Sequence, residues 1–170
     1  MQFFRWLLTG LAALALSGCA GYRLGPTNGL AAGEKSVQIN PFSNKTLEAR
    51  LGDAVNAALH KSFQHDGTYR LATHDDGDII LSGVITGYQR YELSLVQSDV
   101  QTVRDYRVEV TAQVTVRDRS TGKVILDKTV SGFALMRVGS DLTSDERQLL
   151  PVLADDFAKN ATALLVDGSW

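Results

Sequence analysis

The sequence predicts an α+β fold: a two-layer α/β sandwich with two amphipathic helices on one face of a mixed four- to five-stranded sheet. Three observations carry this. Two segments, one beginning near residue 46 and one near residue 143, place apolar residues at steps of three and four, the repeat of a helix buried along one stripe. Between them, residues 106–116 alternate apolar and polar without a break, the repeat of a strand with one dry and one wet face. Each helix carries a single stripe, so both find cover on the same side of one sheet. A chain of 170 residues with 44% hydrophobic residues suits one domain and exceeds the apolar content of a disordered one.

Ser36-Val37-Gln38-Ile39 alternates and is closed by Pro41, so it reads as a short strand. The stripe Leu47, Leu51, Ala54, Val55, Ala58, Leu59 and Phe63 then defines the first helix, with Asn44 or Thr46 as its cap and Asp66-Gly67 as its stop. Residues 69–73 form a second short strand and His74-Asp75-Asp76-Gly77 a turn. Residues 78–88 are apolar on both faces (Ile79, Leu81 and Ile85 against Ile80 and Val84), which places that strand centrally. The alternating strand 106–117 turns at Asp118-Arg119-Ser120-Thr121-Gly122, and 123–136 returns as its hairpin partner, with polar side chains on the open face. Segments 92–104 and 137–145 read as loops. Leu149, Leu153, Phe157, Ala161, Leu164 and Leu165 form the second helical stripe; Thr143 and Glu146 have capping-box spacing, and Pro151 kinks that helix or marks its first turn.

The N-terminus indicates the compartment. Arg5 precedes the apolar residues 6–16, a stretch of signal-peptide length and too short to span a bilayer. It runs into Leu16-Ser17-Gly18-Cys19, which resembles the bacterial lipobox, whose cysteine receives a diacylglycerol and becomes the new N-terminus; the alternative is an ordinary secretory signal with a chance cysteine. The organisation is then a lipoprotein signal peptide over 1–18, a lipidated flexible tether over 19–35 rich in glycine, and the sandwich over 36–170. Two or three acyl chains on Cys19 make a stable membrane anchor, where one makes a reversible one. Ala20 after the cysteine resembles the outer-membrane sorting signal of Gram-negative lipoproteins.

Function classes can be excluded in turn. The net charge of −2 gives no field for nucleic-acid binding. One cysteine permits no intrachain disulfide and no multi-cysteine zinc site. His60 and His65 stand about 140° apart around a helix and do not make an i,i+4 metal pair. No nucleophile elbow, zinc-protease motif or phosphate loop is present, and Asp75, Asp76 and Asp78 lack calcium-loop spacing. The sequence therefore predicts no enzyme, no metal and no cofactor besides the covalent lipid. Arg117, Arg119 and Lys123 flank the hairpin tip, and Arg90, Arg104 and Arg137 sit near strand ends. Guanidinium forks there suit phosphates or sugar acids; the bland alternative is solvated strand ends with ordinary ion pairs.

With these residues in view, a family resemblance emerges. Cys19-Ala20-Gly21-Tyr22-Arg23-Leu24 resembles the opening of the LPS-assembly lipoprotein family LptE. The segments Val37-Gln38-Ile39-Asn40-Pro41-Phe42-Ser43-Asn44-Lys45-Thr46, Asp76-Gly77-Asp78-Ile79-Ile80-Leu81-Ser82-Gly83-Val84-Ile85-Thr86-Gly87-Tyr88 and Asp105-Tyr106-Arg107-Val108-Glu109-Val110-Thr111 are similar to strands of its divergent branch, and Trp170 fits its ending. The resemblance implies a lipid-anchored, non-catalytic protein of the outer membrane's periplasmic face, with two helices on a four-stranded sheet. It implies a plug inside the LptD β-barrel that aids the barrel's assembly and binds lipopolysaccharide on its way to the outer leaflet. Arg104 and Arg137 fall in loops that look equivalent to the family's ligand-contacting ones; Arg117, Arg119 and Lys123 are further candidates. The opening at 37–46 also resembles lipoprotein activators of periplasmic peptidoglycan synthases, the second reading.

Overall fold

A computed structural model of the chain describes residues 33–96, 99–139 and 141–168. The expected signal peptide, Cys19 and all but the last residues of the expected tether lie outside the described residues. The elements are β1 (Ser36–Ile39), β2 (Ser43–Asn44), α1 (Leu51–Asp66), β3 (Arg70–Leu71), β4 (Ile79–Val96), β5 (Asp99–Asp118), β6 (Val124–Arg137) and α2 (Leu142–Asp167). One mixed sheet is ordered β3-β1-β4-β5-β6, with β2 also paired to β4. β1 and β2 run parallel to β4, and β4, β5 and β6 form an antiparallel meander. β4 rises from a lower end, where Ile79 pairs with Val37 and Asp118, to an upper end, where Val96 pairs with Asp99.

The sheet is larger than the four to five strands expected because Pro41 splits its first lane rather than closing it. Proline offers no N–H to a ladder, and the next N–H, that of Phe42, turns to Asn56 Oδ1 on α1 at 2.9 Å. The chain then rejoins the sheet as β2, beside Val84 and Ile85. Phe42 is buried against Gly83, where any Cβ would overlap its ring.

Both helices cover the same face. Leu51, Val55, Leu59 and Phe63 of α1, Leu153, Phe157 and Leu165 of α2, and Ile79, Leu81, Ile85, Val108, Val110, Val114 and Val116 of the sheet are fully buried in one core. α2 packs so tightly on the sheet at Gly132 that a Cβ there would overlap the backbone of Phe157. Between the helices, Ser62 Oγ and Thr162 Oγ1 share a 2.9 Å hydrogen bond.

Several expectations are corrected. The first helix begins at Leu51, and Leu47, expected in its buried stripe, is fully exposed. Asn44 explains the delay. Its Oδ1 accepts from Thr46 N at 2.9 Å and Thr46 Oγ1 at 2.8 Å, while its Nδ2 donates to Glu48 O at 2.7 Å. These bonds hold a turn that competes with helix. The stop is as expected: Gly67 takes φ 73° and its N–H reaches Phe63 O.

The second helix is capped by Asp141, which accepts from Thr143 N at 3.1 Å, and Thr143 and Glu146 form no capping box. Pro151 lies inside the helix, which removes one donor from the carbonyl of Arg147. Segment 92–104 is not a loop but the far end of the β4–β5 hairpin. Tyr91, Leu93 and Leu95 alternate with Glu92 and Ser94 there, a period-two signal of the same kind as in β5. The connection 137–145 shortens to the residues between Arg137 and Leu142.

Candidate docking and ligand face

The sheet face away from the helices has two zones. On the middle and lower part, Ser82, Thr111, Gln113, Thr115 and Thr129 give a hydroxyl and amide surface interrupted by Ile80, Val84 and Val124, with Gln113 Nε2 donating to Asp127 Oδ1 at 2.6 Å and Thr129 Oγ1 to Gln113 Oε1 at 2.8 Å. The upper part departs from the polar open face expected. A bulge between Ile85 and Gly87 shifts the parity of β4, so Gln89, Tyr91 and Leu93 join the open face. There Tyr91, Arg107 and Leu135 align across three strands, and Gln89, Glu109 and Phe133 form the adjacent row. Leu135 is 66% exposed, Leu93 54%, Tyr91 45% and Phe133 42%. Four large exposed apolar side chains on one patch of this face mark a surface built to be covered.

Arginines frame this patch. The Arg107 guanidinium stacks 3.8 Å above the Phe133 ring, with Glu109 at 3.8 Å. Stacking spends the flat face and leaves edge N–H donors outward. Arg137 Nε donates to Asp105 Oδ1 at 2.9 Å. Leu93, Asp105, Leu135, Met136 and Arg137 line a shallow depression of about 480 Å³. Tyr88 and Arg90 mark where the patch meets α2. Tyr88 Oη donates to Glu146 Oε1 at 2.6 Å, and Arg90 Nη1 stands 3.6 Å from Glu146 Oε2. Burial and then the Glu146 carboxylate push the Tyr88 hydroxyl well above the ordinary phenol range.

The sequence candidates do not gather at one place. Arg137 borders the upper patch, and Arg104 precedes Asp105 on β5 at the same level; the Arg104 side chain is outside the described residues. Arg117, Arg119 and Lys123 lie at the lower end. Twelve residue steps of β5 separate Asp105 from Arg117, about 40 Å at ~3.3 Å per residue. Arg119, itself exposed, is tied down by its guanidinium: its Nε donates to Gly77 O at 2.6 Å and its Nη2 to Gln38 Oε1. Arg117 and Lys123 are exposed beside Asp118, whose carboxylate is held down at about 2 by hydrogen bonds from Ser120 and Thr121 and so stays anionic. Cys19 is outside the described residues. Among the described residues, no group of three or more His, Cys, Asp or Glu is arranged to hold a metal.

The sequence reading missed Leu93, Phe133 and Leu135. Phe133 and Leu135 occupy the wet-face parity of β6, and that mismatch between pattern and chemistry is the signal that points to them.

The family model LptE, lipopolysaccharide-assembly, matches residues 34–163. No curated protein matches. Among solved structures, a protein of the DUF330 family from Xanthomonas campestris superposes with TM-score 0.62 at 9% identity, covering 85% of this chain and 91% of that one. A hypothetical protein from Chlamydia trachomatis gives 0.57 at 9% identity, with 77% and 95% covered. A minor lipoprotein from Acinetobacter baumannii gives 0.53 at 15% identity, with 78% and 93% covered. At these identities the likeness concerns the fold.

Proposed function

The chain belongs to the LptE family of lipopolysaccharide-assembly proteins, and on that premise we propose the following role. It is an outer-membrane lipoprotein anchored through a diacylglycerol and an N-acyl chain on Cys19. It sits as a plug in an LptD-type β-barrel, aids the assembly of that barrel, and takes part in moving lipopolysaccharide to the outer leaflet. It works by binding and shape, with no catalytic step of its own.

One geometric observation supports this reading above others: the upper open face combines exposed Tyr91, Leu93, Phe133 and Leu135 with Arg107 and Arg137. Apolar side chains need cover from a partner or an acyl chain, and guanidinium groups complement phosphate. An anionic amphiphile, or a barrel wall that handles one, offers both. The polar lower zone of the same face suits a water-filled barrel lumen.

The test is purification of the tagged, lipidated chain from gently solubilised outer membranes. The reading requires a large β-barrel to come with it in stoichiometric amount, and depletion of the chain to reduce surface lipopolysaccharide. Recovery of the chain alone would count against it. Loss of wall synthesis with intact surface lipopolysaccharide would instead favour an activator of a peptidoglycan synthase.

A further inference from the structure

The two long edges of the sheet are treated differently. At the β6 edge, α2 satisfies the outward backbone groups: Asp156 Oδ2 accepts from Phe133 N at 2.9 Å, and Asn160 Nδ2 donates to Ser131 O at 2.9 Å. Capping an edge in this way stops another chain from adding to it.

The upper half of β4 has the opposite character. β1 and β2 pair with β4 only as far as Ile85, and Lys45 N to Ile85 O is the last bond of that lane. Above it, β4 pairs with β5 alone among the described residues. The bulge at Ile85/Gly87 fixes which groups are left over. Below the bulge, Leu81 and Ile85 present their carbonyls to β1 and β2. Above it the parity reverses, so Gln89 and Tyr91 face β5, while the N–H and C=O of Tyr88, Arg90 and Glu92 face the open edge. The side chains of Tyr88 and Arg90, which could have folded over this edge, are both drawn to Glu146 on α2. Among the described residues, no strand or helix pairs with this edge over Tyr88–Glu92, up to the register shift between Glu92 and Ser94.

We propose that this edge is a strand-addition site, and that an extended segment of the partner barrel pairs with Tyr88, Arg90 and Glu92 as a further strand of the sheet. The proposal rests on the barrel reading above. A closed barrel wall has no edge to offer, so the added strand comes from a luminal loop or terminal segment of that chain. Its alternate side chains fall on two surfaces. One set continues the apolar patch beside Tyr91 and Leu93; the other lies among Arg90, Glu92 and Glu146. The added strand is therefore apolar on alternate residues and charged or polar on the others, with main-chain bonds supplying affinity and the apolar set supplying register.

Arg90→Pro and Arg90→Ala separate the edge from the side chain. Both remove the Arg90–Glu146 pair, but only proline removes the outward N–H, and it leaves the β5 ladder intact because Arg90 N points away from β5. With the lipidated full chain in the outer membrane, Arg90→Pro should bring down about tenfold less barrel than Arg90→Ala, the equivalent of one or more lost hydrogen bonds. Equal recovery by the two variants would overturn the proposal while leaving the barrel reading intact. Absence of the barrel from the wild-type sample would bring down both. Amide exchange gives a second readout that needs no variant. The amides of Tyr88, Arg90 and Glu92 should exchange freely in the isolated chain and become protected in the complex. No protection in the complex, or protection in the isolated chain that grows with concentration (a second copy on the edge), would contradict the proposal.

Discussion

Phe42 and Phe157 meet edge to face, with ring centroids 6.3 Å apart and planes at 80°. Phe42 follows the proline that splits the first lane of the sheet, and Phe157 lies midway along the last helix, so this contact joins the two ends of the domain. Each is admitted by a glycine: Gly83 makes room for the Phe42 ring and Gly132 for the backbone of Phe157.

The pair should therefore be sensitive to both loss and gain of volume. Phe157→Ala should destabilise the domain by about 3–5 kcal/mol through lost burial and a cavity. Gly132→Ala should cost about 1–3 kcal/mol by lifting α2 from β6. Denaturant midpoints at unchanged m-value check both; a shift below 1 kcal/mol for either would mean that α2 does not depend on this contact.

Tyr88 ties the tall hairpin to the first turns of α2. Tyr88→Phe should cost about 1–2 kcal/mol, since it leaves Glu146 short of a donor. The pH dependence has a definite sign. The phenol titrates higher in the folded chain than in the unfolded one, so the folded state holds the proton longer. Its contribution is complete below pH 10 and is lost as pH rises from 10 through the folded value. Wild type should lose stability above pH 10 more steeply than Tyr88→Phe, as read by denaturation at pH 9 and pH 11. Parallel slopes would remove Tyr88 from this role.

At the lower end, Ser36 fastens β1 to the start of β4. Its Oγ and N both donate to Asp78 Oδ2 at 2.7 Å, and these bonds hold the Asp78 carboxyl below its ordinary 3.8. A depressed carboxylate stabilises the fold above its unfolded value and loses that contribution as pH falls through the folded one. Ser36→Ala should move the Asp78 carboxyl upward in an NMR titration and reduce stability at pH 5 more than at pH 2. An unmoved titration would show that the hydroxyl does not set it.

The repeats of three-to-four and of two were enough to locate both helices and the meander, because burial on one face is a property that period alone reports. Leu47 was misread because a stripe cannot reveal that Asn44 will bind the next turn and delay the helix. Thr143 and Glu146 have the spacing of a cap, yet Asp141 takes the cap and Glu146 is claimed by Tyr88 across the structure. The upper patch was hidden for a related reason. Which face Tyr91 and Leu93 occupy depends on a one-residue bulge at Ile85/Gly87, and pairing partners rather than local sequence decide where a bulge falls. Arg104 and Arg137 were both expected in loops at strand ends; Arg137 is the last residue of β6, whereas Arg104 lies inside β5. The roughly 40 Å between them and Arg117 required the register.

The upper open face, as the proposed working surface of the molecule, should not tolerate charge in place of its apolar side chains. Leu93 and Leu135 are its most exposed apolar residues, and replacing both with aspartate should change folding stability by no more than about 1 kcal/mol, as for surface positions generally. Surface lipopolysaccharide, measured in cells whose only copy of the chain carries Leu93→Asp and Leu135→Asp at wild-type abundance, should fall severalfold. Wild-type surface lipopolysaccharide in those cells would contradict the account.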